Sequence, residues 1–281
     1  KRRGPEFYRY LARLTAPIAL QNLITFSLGL IDTFMVSQLG NLEMAAVTTA
    51  NVPVFLLISI VFGIQSGVGI LISQYWGKQD KESISRAIGV AAFIGTGISL
   101  LLALILFAWP VQIMDLLSNK HELSVLGAPY LRVIGFSYVF NMLSSIYVSA
   151  QRSVENAAFG MKLFGMSTLL NTGLNYLLIF GHGGLPALGV QGAAVASVAA
   201  QVVSCLLVYL FLAVRLRQKQ WRLRFTLGFT RPELLTYAKI LLPLLASEFL
   251  WSLGENVYSA IYGNIGTQAC AAMTMTTPIQ C

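Results

Sequence analysis

Charge is what this sequence has least of. Asp, Glu, Lys and Arg supply 11% of its 281 residues, whereas a soluble domain carries about 25%. The few charges sit in short clusters, separated by apolar stretches of about 20 residues or more. That pattern excludes a water-soluble globular class. The formal charge of +8 does not point to nucleic acid either, because the basic residues lie at the ends of apolar segments. Cysteine is scarce, and Cys205, Cys270 and Cys281 all fall in apolar stretches, where they read as small buried hydrophobes. No H-x-x-E-H or similar metal cluster occurs. No G-x-x-x-x-G-K-[ST] occurs, so the chain carries no ATP motor of its own. The spans hold no clustered His, Asp or Ser nucleophiles, which argues against an intramembrane enzyme. The first segment, KRRGPEFYRYLAR, is basic and polar. The apolar stretch after it is too long for a signal-peptide core, so no cleavable secretory signal is expected.

What is present is a series of membrane spans. The apolar runs predict spans at roughly 15–38, 45–74, 87–117, 124–150, 158–181, 189–214, 236–262 and from 268 onward. Several exceed the ~20 residues that cross a bilayer, so tilt or protruding ends are expected. The fold class is an all-α integral membrane protein, a polytopic helix bundle. Seventeen of the nineteen Lys and Arg residues fall before span one or in and at the edges of the loops after spans two, four and six. The positive-inside rule puts those segments, and the N-terminus, in the cytoplasm. The glycine-rich GHGGLPALGVQG reads as an outer loop and helix cap. The expected location is the cell (inner) membrane, crossed several times.

An internal repeat is visible. Laying Pro17 on Pro243 puts Gly40 on Gly266, Ala45 and Ala46 on Ala271 and Ala272, and Thr48 on Thr274, without a gap. Six spans separate the copies, so the repeat is parallel, related by an axis along the membrane normal. The expected domains are a six-helix N-lobe at 1–214, a basic inter-lobe loop at 215–235, and the start of a second lobe at 236–281 with one to two helices. The chain reads as truncated at Cys281, from a parent of about 440 residues and twelve spans. A chain lacking most of one lobe is not expected to transport, because alternating access requires two.

Polar residues inside the spans are the candidates for function. A carboxylate in hydrocarbon costs several kcal/mol unless paired or hydrated. Asp32, Glu248 and Glu255 all lie within spans. Asp32 sits roughly 17 residues into span one and Glu255 at a similar depth in span seven, which places both in the outer half of the bilayer. These acids read as binders of a coupling ion and a cationic substrate, or as structural hydrogen-bond partners; Glu248 fits either role equally. Asn171 and Asn175 are four apart and share a helix face. They can supply carbonyl ligands to Na⁺, accept a bond from a protonated Asp, or act as polar glue between helices. Gln21, Asn22, Gln65, Gln74 and Asn141 are also polar and intramembrane, and spacing does not rank them. Arg132 is expected to snorkel or pair. His121 and His182 fall in outer loops and read as solvated. Trp76, Trp109 and Trp221 lie near membrane boundaries, while Trp251, Tyr258 and Tyr262 lie within span seven and read as packing residues.

Four pieces of the sequence carry a family resemblance: Pro17 to Asp32-Thr33 followed by QLGNLEMAAV, then GVGILISQYWGKQD, NTGLNYLLIFG and GLPALGVQGAAVAS. Together they resemble the multidrug and toxic compound extrusion (MATE) family, over nearly the whole chain. The resemblance implies a secondary antiporter in which Na⁺ or H⁺ entry drives export of small amphipathic organic cations. Two lobes would rock about a central cavity, with no cofactor, in a protein working as a monomer. It implies that Asp32, with Asn171 and Asn175, forms the N-lobe cation site, with any Na⁺ held at Asp32. It implies that Glu255 belongs to a possible C-lobe cation or substrate site, for which Glu248, by its place in the same span, is a second candidate. Asn175 departs from members with a second acid there. Arg152-Ser-Val-Glu-Asn156 has Glu155 where the family often has glycine. A lipid-linked-oligosaccharide flippase of the same superfamily is the nearest alternative, although only Arg132 could meet its need for cationic cavity residues. A major-facilitator carrier lacks the four motifs.

Overall fold

The computed structural model describes residues 4–117, 121–217 and 230–265, with side chains omitted at 215–217, 255–256 and 258–265. Its elements are α1 (Pro5–Ser37), α2 (Asn41–Gly77), α3 (Lys81–Ala108), α4 (Pro110–Leu117), α5 (His121–Ser153), α6 (Ala157–Phe180), α7 (Val190–Arg217) and α8 (Arg231–Ile265). Among the described residues, seven helices are long and apolar enough to cross a membrane. The protein is a multi-pass membrane bundle. The eighth expected span, Cys270, Cys281 and the second-lobe half of the repeat beyond Ile265 lie outside the described residues.

One expectation is corrected. The apolar stretch 87–117 is not a single span: α3 stops at Ala108, and Trp109 leaves helical geometry at φ −125°, ψ 44°. The cause is Pro110. Its ring disfavours the α conformation at the preceding residue, and it has no N–H to continue the ladder. α4 restarts from Pro110 as a separate eight-residue helix. At its other end, α3 is capped by Asp80, whose carboxylate accepts from Ser83 N at 3.1 Å and Ser83 Oγ at 2.6 Å. This fills one of the open backbone donors at a helix start.

The helix ends also explain the glycine-rich loop between α6 and α7. Gly181 closes α6 in the left-handed region (φ 74°), with its N–H donating to Leu177 O, a helix stop that glycine adopts at no steric cost. The chain then returns so that Leu188 N donates to Leu178 O at 2.9 Å. Gly192 lies so close that a Cβ there would sit 2.6 Å from the Leu178 carbonyl oxygen. α6 and α7 are fastened by backbone at this end.

α5 is the centre of the bundle, packed against α2, α3, α6 and α7, while α1 pairs with α6 and α8 leans on α2. One apolar cluster joins α2, α3, α5 and α8 through residues such as Ile64, Ile88, Ile146 and Leu241. A second joins α1, α2, α5, α6 and α7 through Val36, Leu57, Leu131 and Ile179. The large exposed apolar residues, among them Leu30, Phe34, Phe93 and Leu101, form the surface a membrane helix presents to lipid. α8 seats against the glycines of α2: Gly67 faces Leu241, Leu244 and Tyr237, and Gly63 faces Leu245. Tyr237, 1% exposed, donates its hydroxyl to Ile64 O at 3.2 Å. Pro17 and Pro243, paired by the sequence repeat, each lie about three turns into their helices, α1 and α8.

Candidate functional site

α1, α2, α5, α6 and α7 enclose a cavity of about 440 Å³. This is the size of a small-molecule site. Asp32 of α1 is the one charged side chain among its described lining residues. Asn171 and Asn175 come from α6 and are 3% and 1% exposed. Their four-residue spacing aims both side chains at α1 and α7.

Asn175 Nδ2 donates to Asp32 Oδ1 at 2.5 Å. The same nitrogen lies 3.0 Å from Asn171 Oδ1, and Asn171 Nδ2 lies 3.2 Å from Ser197 Oγ on α7. The opposite orientation of the Asn171 amide also makes bonds. Its nitrogen then donates to Asp32 Oδ1 at 3.1 Å, and its oxygen accepts from Ser197 N and Oγ at 3.3 and 3.2 Å. This second orientation brings Asn171 nitrogen against Asn175 nitrogen unless Asn175 turns as well. Turning both amides sets Asn175 oxygen against Asp32 oxygen, a contact that requires a proton on the carboxyl. The two amide registers therefore match two charge states of Asp32. With the carboxylate ionised, Asn175 Oδ1 is buried without a donor among the described residues. An orphaned buried acceptor is costly by itself.

Across the cavity, Tyr130 of α5 donates its hydroxyl to Asn51 Oδ1 of α2 at 3.2 Å. Ser137, Tyr138 and Asn141 of α5 and Gln201 of α7 line the same space.

Residues 17–177 match the family model MatE. The chain belongs to the MatE family. A MatE-type relative, the probable multidrug resistance protein YoeA of Bacillus subtilis (strain 168), is 26% identical over 279 residues, which is 97% of this chain and 59% of the relative. The probable multidrug resistance protein NorM of Rhizobium meliloti (strain 1021) is 25% identical over 276 residues, 95% of this chain and 57% of NorM. Among solved structures, a MOP-superfamily transporter from Pyrococcus furiosus superposes with a TM-score of 0.85 at 20% identity, covering 96% of this chain and 59% of that one. A MATE structure in complex with MaL6 superposes with a TM-score of 0.85 at 22% identity, covering 96% and 59%. The structural likeness establishes the fold. This MatE chain spans somewhat under three fifths of the length of these curated relatives, which are named for multidrug resistance, not for an enzyme activity.

Within the MatE fold, the structure brings together Asp32, Asn171 and Asn175. Glu248 is not among the residues lining their cavity. It lies half-buried on α8, on the stripe that carries Leu241, Leu244 and Leu245 toward α2. The Glu255 side chain lies outside the described residues. Arg132 is also away from the cavity: it is exposed on α5, with its guanidinium 5.7 Å from the Phe107 ring centre. His121 and His182 are both exposed, as expected of solvated rings; His121 approaches Asp115 at 3.3 Å, and His182 stacks on Tyr176 at 4.5 Å. Gln21 turns to Arg152, with 3.4 Å between Oε1 and Nη2. Ser197, Tyr130, Asn51 and Gln201 are cavity residues that the sequence did not single out. Asn51 and Gln201 carried the usable signal, as amides inside apolar spans. Ser197, within GAAVAS, carried none.

Proposed function

We propose that this chain is the larger part of a secondary active antiporter that exports small amphipathic organic cations in exchange for Na⁺ or H⁺. The observation that carries the reading is Asp32, a carboxylate on the wall of a drug-sized cavity, held by a buried amide. In a space with little water such a group attracts one monovalent cation strongly. A coupling ion and the cationic head of a substrate then compete for it. That competition is the elementary requirement of exchange: the arriving ion displaces the substrate on one face, and the substrate displaces the ion on the other.

Asn171, Asn175 and Ser197 supply the neutral ligands, and the two amide registers let the site accept either ionised or protonated Asp32. Because position 175 is Asn, the N-lobe site carries one carboxylate and takes one positive charge at a time. Glu255 is assigned to a corresponding acid site of the second lobe, with Glu248 as its neighbour one to two turns away. The distribution of Lys and Arg supports a cytoplasmic N-terminus in a cell (inner) membrane, and the reading requires a single copy of the protein. The position of Arg132 outside the cavity weighs against a lipid-pyrophosphate flippase, whose cargo needs cations where this cavity has an anion.

The test is transport in proteoliposomes by the protein at its natural length. Movement of a fluorescent organic cation is followed under an imposed Na⁺ gradient, then a pH gradient, for wild type and Asp32→Asn. One gradient is expected to drive transport and the variant to stop it. Equal transport by wild type and variant would overturn the carboxylate mechanism.

A further inference from the structure

Away from the cavity, the last turn of α5 carries a cation that no described carboxylate neutralises. Arg152 is half-buried there. Its Nη2 donates to Gln21 Oε1 of α1 over a long 3.4 Å. Its Nε is buried without an acceptor among the described residues and is sealed from any ligand. Nη1 also meets no acceptor among the described residues, but it is not sealed. Among the described residues no carboxylate pairs with this guanidinium. Glu155, three residues on, faces Tyr10 of α1 instead. The stretches outside the described residues, 1–3, 118–120, 218–229 and 266–281, contain no Asp or Glu. Glu255 is the one acid whose side chain is not described, and it belongs to α8, which packs against α2 and α3.

The surroundings hold the guanidinium in place. A Cβ at Gly160 of α6 would stand 2.6 Å from both Gln21 Oε1 and Val148 Cγ1, so α1, α5 and α6 close on one point beside it. The neighbouring polar side chains are committed elsewhere. Gln151 Nε2 donates to Tyr147 OH at 2.8 Å, Asn156 Nδ2 to Gln151 Oε1 at 2.7 Å, and Ser153 Oγ to Gly69 O of α2 at 3.3 Å. A partly buried charge without a counter-charge is costly, and the planar fork of arginine fits the oxygens of a phosphate. The distribution of Lys and Arg assigns this end of α5 to the cytoplasmic side. Basic clefts between spans on that side suit lipid headgroups.

We propose that Arg152, oriented by Gln21, is a phosphate-binding site at the junction of α1, α5 and α6. Nη1 and the second N–H of Nη2 donate to the phosphate oxygens, and Nε takes no part. The phosphate is that of an anionic phospholipid at the bilayer edge or a free phosphate from the cytoplasm. This site stands apart from the Asp32 cavity and does not depend on the antiporter reading.

The experiment is native mass spectrometry of the purified natural-length protein, stripped of lipid in a neutral detergent. The protein is titrated with phosphatidylglycerol, with inorganic phosphate alone, and with both. Wild type is expected to hold one phosphate-bearing ligand about tenfold more tightly than any further copy, the scale of one charge-assisted hydrogen bond. Arg152→Gln should lose that copy, and Arg152→Lys, which keeps the charge without the fork, should retain part of the affinity. Arg13→Gln and Lys162→Gln, which remove exposed charges from α1 and α6, should keep it in full. Phosphatidylglycerol that inorganic phosphate does not displace identifies the lipid as the source; retention of inorganic phosphate itself identifies the free anion. Wild type with no preferred copy of either ligand overturns the site, and that result needs no variant to fold. Binding by Arg152→Gln equal to wild type overturns it too. Equal losses in all three Gln variants also overturn it, because a diffuse basic surface then does the binding.

Discussion

Arg86 of α3 and Glu233 of α8 meet at 3.0 Å, across 147 residues of chain. The pair ties the first turn of α8 to α3. Glu233 also accepts from Thr230 Oγ at 3.0 Å, so one carboxylate starts α8 and anchors it. Below the pair, Leu71, Tyr75, Ala87, Val90 and Tyr237 surround a small cavity of about 150 Å³ between α2, α3 and α8. Exposed ion pairs contribute little to global stability, so the effect of this one should be local. In a protein with its native cysteines replaced, a cysteine at Ala87 reports on the seam. Glu233→Arg should raise its maleimide labelling rate several-fold, and adding Arg86→Glu should bring the rate back. An unchanged rate in Glu233→Arg means the pair holds nothing closed.

The Asp80 cap of α3 gives a pH dependence. Hydrogen bonds from the Ser83 hydroxyl and then its N–H hold the Asp80 carboxyl below its ordinary value of 3.8. A lowered folded value means stability that is complete above the ordinary carboxylate range and lost as pH falls through the folded value. Asp80→Ala should therefore melt below wild type at pH 7, and the gap should shrink as pH drops under 3.8. A gap that is constant with pH would show that the loss comes from something other than the charged cap.

Asn175 supports Asp32 and Asn171 together. Asn175→Ala removes the donor from the half-buried Asp32 carboxylate and takes one of its two partners from Asn171, which keeps Ser197, at a cost of about 1–3 kcal/mol. Thermal unfolding should detect that loss, and calorimetry should show weaker binding of Na⁺ or of an organic cation. Retention of both wild-type values would remove Asn175 from the site.

Gly192 and Gly173 form a contrasting pair. A Cβ at Gly192 meets the backbone of Leu178 and Ile179, whereas a Cβ at Gly173 meets nothing within 4 Å. Gly192→Ala should destabilise by about 1–3 kcal/mol through overpacking against backbone that cannot yield. Gly173→Ala should be neutral or stabilising by up to about 1 kcal/mol, because alanine is the better helix former. Melting temperatures of the two variants decide it.

The spans were legible because burying a charge in lipid is so costly that their limits are written in composition. The same reasoning isolated Asp32, and helical spacing put Asn171 and Asn175 on one face. Composition could not reveal the break at Trp109, since Pro110 acts through local sterics inside a run that stays apolar on both sides. Nor could it separate Asp32 from Glu248. Both are acids in hydrocarbon, but the packing of Leu241, Leu244 and Leu245 on α2 decides where Glu248 points. Ser197 was invisible because a serine among alanines becomes a site residue only when α7 crosses α6 at Asn171. The distant partners Tyr130 and Asn51 likewise depend on which helices become neighbours.

The seating of α8 has a mechanical consequence. Tyr237, Leu241, Leu244 and Leu245 grip α2, whereas Phe249, Leu250, Trp251, Leu253 and Val257 are all more than half exposed. Ser252, in that same stretch, is 3% exposed, so packing continues past Leu245 on one side of the helix only. The side chains set against Gly63 and Gly67 fix where α8 sits on α2, so a methyl added at Gly63, 2.6 Å from Leu245, would push on that seat and turn the exposed side with it.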